Sequence, residues 1–287
     1  MEKQEPPSYT ARSGRADRPN VTGKQSSSSS GTTEAATTGS SLASNPGSLN
    51  FQSKFASLSL HQNDKIRLLE FPDEAVEVVK SAVRVGWPYG LQEERTIHGS
   101  RELKLKGLPW LGLGSDSMHA RRLMRQIFHE LFDTGWILSL STDVSKKNRD
   151  KDTLIFRYQN APPAPRDWIC VAFSKKDRLR VVDAPTALTD AISETLRDQI
   201  QEIVAHPLPG VFELKLRGYL WESRSGEEIM RARRMLLRLF AILESHGFTV
   251  YASIDQKADL DSEKGETDTW HCCRPKDWQQ GAPVYHA

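Results

Sequence analysis

Glu102-Leu103-Lys104-Leu105-Lys106-Gly107 returns 111 residues later as Glu213-Leu214-Lys215-Leu216-Arg217-Gly218. The alternation is strict, so an extended chain here places its leucines on one side and its charges on the other. A tryptophan follows each stretch, Trp110 and Trp221. Working outward, the flanking sequence repeats in the same order. Asp64–Pro72 matches Asp177–Pro185, and Ala120-Arg121-Arg122 with Phe128 matches Ala232-Arg233-Arg234 with Phe240. Gly135 matches Gly247, Ser141 and Asp143 match Ser253 and Asp255, and Asp152-Thr153 matches Asp268-Thr269. The offset drifts only between 111 and 116. Chance similarity does not keep order and spacing together, so the chain is a tandem duplication.

Each copy reads β-α-β-α-β-β. First strands at 66–71 and 179–183 end at Pro72 and Pro185, residues suited to open a helix. Helices are expected over 73–84 and 186–204. The half-apolar strands at 102–106 and 213–217 follow. The second helices carry the clearest apolar stripes of helical period: Ala120, Leu123, Met124, Ile127, Phe128, Leu131 and Phe132, then Met235, Leu236, Leu239, Phe240 and Leu243. Ser115 and Ser225 stand at N-cap positions, and Gly135 and Gly247 stand where a left-handed C-cap is wanted. Strands from 136 to 142 and 248 to 254 come next, then 153–157 and 269–273. Half-buried strands with amphipathic helices predict an α+β fold, a two-layer sandwich with helices on one face of a mixed sheet. The expected modules are 62–173 and 174–287, with Trp168–Phe173 as a further strand of the first. The short turn Ser174–Asp177 leaves little slack, so the two should pack as one unit.

Residues 1–61 are rich in Ser, Thr, Gly, Pro and Ala, with a five-serine run at 26–30. They hold too little apolar surface to offset chain entropy, which predicts a disordered tail. Near its end Phe51, Phe55 and Leu58 fall at i, i+4, i+7, the spacing of a short helix that straps the core or docks a partner. A formal net charge of +2 creates no global field to recruit nucleic acid or membrane. Three irregularly placed cysteines argue against a disulfide framework. With no apolar leader and no long apolar run, the expected setting is cytoplasmic or nuclear, with no membrane.

The most pointed chemistry lies in arginine. Arg121, Arg122 and Arg125 in the first copy, and Arg231, Arg233, Arg234 and Arg238 in the second, ride on the second helices. Guanidinium forks suit phosphates and carboxylates, so two exposed stripes form a candidate anion or partner site, with Trp110 and Trp221 beside it. The plainer reading is a good helix former whose stem covers apolar surface while its head stays wet. Lys104, Lys106, Lys215 and Arg217 line the outward strand faces, but no aromatics interleave for base stacking. Asp143 with Asp152, and Asp255 with Asp268, are the one recurring carboxylate pairing, read either as acid–base or Mg²⁺ chemistry or as backbone-bonding turn residues. His271, Cys272 and Cys273 lack the second ligand pair that a metal centre needs. No cofactor motif is present, so the expectation is no cofactor and no metal. The favoured function is a non-enzymatic binding or scaffold protein with a protein partner. Binding of nucleic acid or a phosphorylated ligand by the two arginine helices, and a hydrolase or transferase using Asp143 and Asp152, are the alternatives.

Overall fold

The structure, a computed structural model, describes residues 53–112, 114–142, 150–223, 225–256 and 268–284. The tail up to residue 52, Phe51 included, lies outside the described residues, as do Asp143 and the stretches 144–149 and 257–267. The described residues fall within one compact unit.

The first repeat runs β1 (Phe55–His61), β2 (Lys65–Leu69), α1 (Asp73–Gly86), β3 (Leu91–Ile97), β4 (Ser100–Leu105), α2 (Asp116–Asp133), β5 (Trp136–Thr142) and β6 (Asp150–Tyr158). The second runs β7 (Arg166–Ser174), β8 (Arg178–Val182), α3 (Thr186–Thr195), β9 (Ile200–Val204), β10 (Val211–Leu216), α4 (Gly226–Ser245), β11 (Thr249–Ile254) and β12 (Thr269–Pro275). The sheets have the same strand order, β3-β4-β2-β1-β6-β5 and β9-β10-β8-β7-β12-β11. The duplicated α+β architecture is therefore present in full.

Each repeat runs β-β-α-β-β-α-β-β rather than β-α-β-α-β-β, with β3 an inserted strand. Four further details differ from expectation, each for a local reason. The described pairings are antiparallel throughout rather than mixed, because hairpins and near-hairpins make most of the connections. Phe55–His61 is a strand, not a helical strap. Its residues alternate as well as they fit a helical stripe, and pairing with both β2 and β6 settles the choice. The helix expected over 186–204 stops at Thr195, and the β-branched Ile200, Ile203 and Val204 go into edge strand β9 instead. The strand through Trp168–Phe173 opens the second sheet rather than closing the first module, since it pairs with β8 and β12.

Alternation explains the layering. On one side of the first sheet Leu58, Leu60, Ile66, Leu68, Leu103, Leu105, Leu154 and Phe156 pack on α1 and α2. Ile169, Val171, Phe173, Leu179, Val181, Leu214 and Leu216 do the same beneath α3 and α4. Each fully buried side chain of this kind contributes about 1.5–3 kcal/mol. The second sheet is also apolar on its other side: Trp168, Ala252, Ile254 and Cys273 join the core around α2, while Met118 packs with Cys170 and Val182. The order of layers is thus first sheet, α2, second sheet, α4. Tyr251 adds an edge contact, its hydroxyl accepting the Leu138 amide at 2.7 Å.

Helix termini follow local chemistry. Ser225 Oγ accepts the Glu228 amide at 3.2 Å and caps α4, whereas Ser115 makes no capping bond to α2. Gly247 sits at φ 82° just past α4, and an added Cβ would lie 2.4 Å from Trp278. Left-handed backbone and close packing together require glycine there. On the sheet faces turned away from their own repeat's helices, Glu102 and Glu213 are buried under cations. Glu102 lies at the outer face of the first sheet, and Glu213 on the side of the second sheet that faces α2. Lys65, Arg67 and Arg95 surround Glu102, and Arg178 and Arg180 surround Glu213. Desolvation pushes the Glu102 carboxyl up, but hydrogen bonds from Arg67 and Arg95 outweigh it and hold the group down at about 2.

Candidate functional site

The two arginine helices have different fates. Met118, Arg121, Arg122, Arg125 and Phe128 lie on the side of α2 turned toward the second sheet. Arg121 is buried, its Nε donating to Thr269 Oγ1 at 3.1 Å and its Nη1 to the Ser117 carbonyl at 2.9 Å. Burial and the neighbouring Arg180 charge lower its pKa to about 10, so it stays cationic at neutral pH. Arg122 grips Asp183 with both Nε (3.0 Å) and Nη2 (2.7 Å), and Nη2 also donates to the Pro209 carbonyl. Arg125 Nη1 reaches Asp183 Oδ2 at 3.0 Å and the Trp168 carbonyl at 3.2 Å. The expected exposed stripe on α2 is therefore a clamp inside the molecule. Its heads find fixed acceptors on the second sheet because that sheet covers them.

Asp183 is a residue that sequence reading missed. It holds φ 57° at the end of β8, where the backbone turns, and receives two arginines. The repeat did carry a signal, since Glu70 at the matching position has φ 61° and is also acidic.

Behind the clamp lies a closed polar cluster. Cys170 Sγ and His271 Nδ1 are 3.4 Å apart, and Phe128 stands edge-on to the imidazole at 5.0 Å. Thiol and imidazole are the pair that thiol enzymes use, but here both are fully buried. Burial pushes the Cys170 thiol up to about 12, and burial with the Arg121 and Arg125 charges pushes His271 down to about 3. Both groups are neutral and closed to solvent, the reverse of an activated nucleophile. Among the described residues no three His, Cys, Asp or Glu side chains converge to hold a metal ion.

On α4 the same positions face outward. Met230, Leu237 and Phe240 are 46%, 70% and 39% exposed, at the places held in α2 by Met118, Arg125 and Phe128. Arg233 and Arg234 are exposed, and Arg234 has no ion-pair or hydrogen-bond partner among the described residues. Beside them Arg217, Arg231, Arg234 and Arg238 line a cleft of about 350 Å³ with Asp198, Gln199, Leu216 and Leu220. Arg231 donates to the Arg217 carbonyl at 2.9 Å, and Arg238 lies 3.7 Å from Asp198. Four cations therefore share this cleft with one carboxylate.

The remaining candidates are structural in their contacts. The Trp110 indole donates to the Lys65 carbonyl and the Trp221 indole to the Arg178 carbonyl, at 3.0 and 2.9 Å. Each pins the start of a strand from beneath its 3-10 turn. Asp152 Oδ2 accepts the Ser141 hydroxyl at 3.1 Å and the Asp255 amide at 3.2 Å. Asp268 Oδ2 accepts the Ser253 hydroxyl at 2.8 Å. These carboxylates bond neighbouring strands, as turn and strand-end aspartates do. No helix among the described residues is long and apolar enough to cross a membrane.

Comparison with known proteins agrees with the duplication. One solved structure, a conserved kinetoplastid-specific protein from Trypanosoma cruzi, is similar at 17% identity over 37% of this chain and 98% of its own, with a TM-score of 0.29. No curated protein matches. A family model described simply as a domain matches twice, over residues 54–157 and 167–273. Each match starts at or beside a sheet-opening strand, β1 or β7, and ends in β6 or β12, so the chain belongs to that domain family and carries its domain in two tandem copies.

Proposed function

We propose that this chain is a non-enzymatic protein-binding module whose working surface is the outward face of α4. One observation carries this reading: the face that α2 buries against the second sheet is open on α4, and it keeps an apolar and arginine-rich make-up there. Exposed Met, Leu and Phe with adjacent arginines are what interface centres favour, since they combine apolar area with forked hydrogen bonding. Leu237→Asp tests the reading because Leu237 is 70% exposed and its loss leaves the core intact. Tagged wild-type chain purified from its own cells should retain a stoichiometric protein that the variant does not. Equal recovery from both, or no retained protein, overturns it.

A second reading has an observation of its own. The cleft of Arg217, Arg231, Arg234 and Arg238 fits a phosphorylated ligand or nucleic-acid backbone. Because Arg121, Arg122 and Arg125 are engaged internally, any such site belongs to the second repeat alone. Salt-dependent retention on a phosphate-bearing resin should vanish in Arg231→Glu/Arg238→Glu and persist in Leu237→Asp. Retention unchanged by the arginine reversals rules it out.

A further inference from the structure

We infer that copies of this chain associate head to tail, the outward face of α4 in one copy docking on the outward face of the first sheet in the next. This rests on reading α4 as a binding face, and names its occupant. The template is the contact that α2 makes with the second sheet inside each copy.

Strand register identifies the matching positions without ambiguity. Ser57 pairs with Leu69 as Cys170 pairs with Val182, Phe55 with Arg157 as Trp168 with Cys273, and Leu140 with Ile155 as Ala252 with His271. On the second sheet Trp168, Val182 and Ala252 are covered from the α2 side. On the first sheet their counterparts Phe55, Leu69 and Leu140 are exposed at 53%, 43% and 52%. Met118 and Phe128 are covered on α2, while Met230 and Phe240 are open on α4. The two terminal faces of the stack thus carry the two halves of the internal interface, each without its mate among the described residues.

The polar contacts are matched too. Arg122 sits on Asp183 against Gly210, where an added Cβ would lie 2.5 Å from Asp183 Oδ1 and 3.0 Å from Arg122 Nη2. The counterpart seat is Glu70 and Gly99. No atom lies within 4 Å of a Cβ built on Gly99, and both residues line an open cavity of about 960 Å³ with Phe55 and Pro72. Glu70 has no ion-pair partner among the described residues, nor has Arg234, the residue that stands in Arg122's place. Arg121 donates to Thr269, and Arg233 has Thr153 as the equivalent acceptor. Ser57 and Ser59 replace Cys170 and Ala172 in the sheet, so the contact between copies is wetter and weaker than the one within a copy. Joining unlike faces leaves one free face at each end of a pair, so association continues past the dimer, to a ring where the rotation per copy closes and to an open chain where it does not.

Sedimentation velocity on the full chain, from about 1 µM to about 1 mM, reads this directly. The wild type should gain mass with concentration and pass the dimer without a plateau. Glu70→Arg or Arg234→Glu alone should raise the concentration needed about tenfold or more. An equimolar mixture of the two variants should associate again past the dimer, because both junctions between unlike variants pair opposite charges, and so should the chain carrying both substitutions. Both residues are exposed, so folding is not at stake. A wild type that stays monomeric, a closed dimer, or association that neither substitution weakens overturns the inference. If the wild type is monomeric while Leu237→Asp loses a cellular protein, the binding-face reading stands and the head-to-tail contact falls. If Leu237→Asp changes nothing at all, both fall.

Discussion

Arg122→Ala and Arg234→Ala are the same substitution at matching positions of a duplicated helix, yet their costs should differ widely. Arg122 makes two charge-assisted hydrogen bonds to Asp183 and one to the Pro209 carbonyl, with only 18% of its side chain exposed. Bonds of this kind contribute about 1.5–3 kcal/mol each when partners are left unsatisfied. Two features reduce the loss: Arg125 continues to pair with Asp183, and the site is not fully closed to water. The net cost is then about 2 kcal/mol, which for a unit of this size lowers Tm by roughly 4–8 °C. Arg234 has no partner among the described residues, so its replacement should stay within about 0.5 kcal/mol. Urea unfolding followed by tryptophan fluorescence, at a protein concentration low enough to suppress association, gives both values in one experiment. Equal destabilisation by the two substitutions would refute the asymmetry on which the functional reading rests.

Three other outcomes follow from the interior. The buried imidazole of His271 cannot take a proton until about pH 3, whereas the unfolded chain takes one near 6.5. The unfolded state therefore binds more protons across that window, and stability falls as pH drops through it. His271→Leu should flatten the decline between pH 6.5 and 5, and parallel curves for the two proteins would show that the imidazole is solvated. Gly247→Ala meets both a positive φ and a 2.4 Å clash with Trp278, so it should cost about 2 kcal/mol or more, while Gly226→Ala at the open start of α4 should be nearly neutral. Cys170, Cys272 and Cys273 are buried with their thiols pushed upward by burial. A chromogenic disulfide reagent should titrate none of them in the native protein and all three in denaturant. Rapid native labelling of any one would place it wrongly.

The parts of the fold legible in the sequence were those with repeated, unambiguous period. Leu103 and Leu105 alternate, Leu123 to Phe132 follow a helical stripe, and Gly135 and Gly247 mark the same C-terminal turn. Phe51, Phe55 and Leu58 have a helical spacing, whereas the strand Phe55–His61 follows the competing alternation of Ala56, Leu58 and Leu60, with Phe55 on the opposite face. Only its two neighbours in the sheet decide. The extension of α3 through 204 failed for a related reason, since Ile200 and Ile203 suit either element until β10 is placed beside them. The arginines show a deeper limit. Arg121-Arg122 and Arg233-Arg234 are the same letters in the same helix context, but one pair meets a sheet and the other meets solvent. What separates them is the layer order, which is encoded in the second sheet: Trp168, Cys170 and Ala172 stand where the first has Phe55, Ser57 and Ser59. A comparison of outward strand positions between copies carries that signal.

Met118 and Met230 occupy the same place in α2 and α4, one fully buried and the other 46% exposed. Limited peroxide oxidation of the dilute native protein, read by peptide mass spectrometry, compares them inside one molecule, with the buried Met124 and Met235 as internal references. A stack closed over α2 and open over α4 predicts that Met230 oxidises at least about tenfold faster than Met118, which tracks the references. Equal rates at Met118 and Met230, whether both fast or both slow, would contradict it.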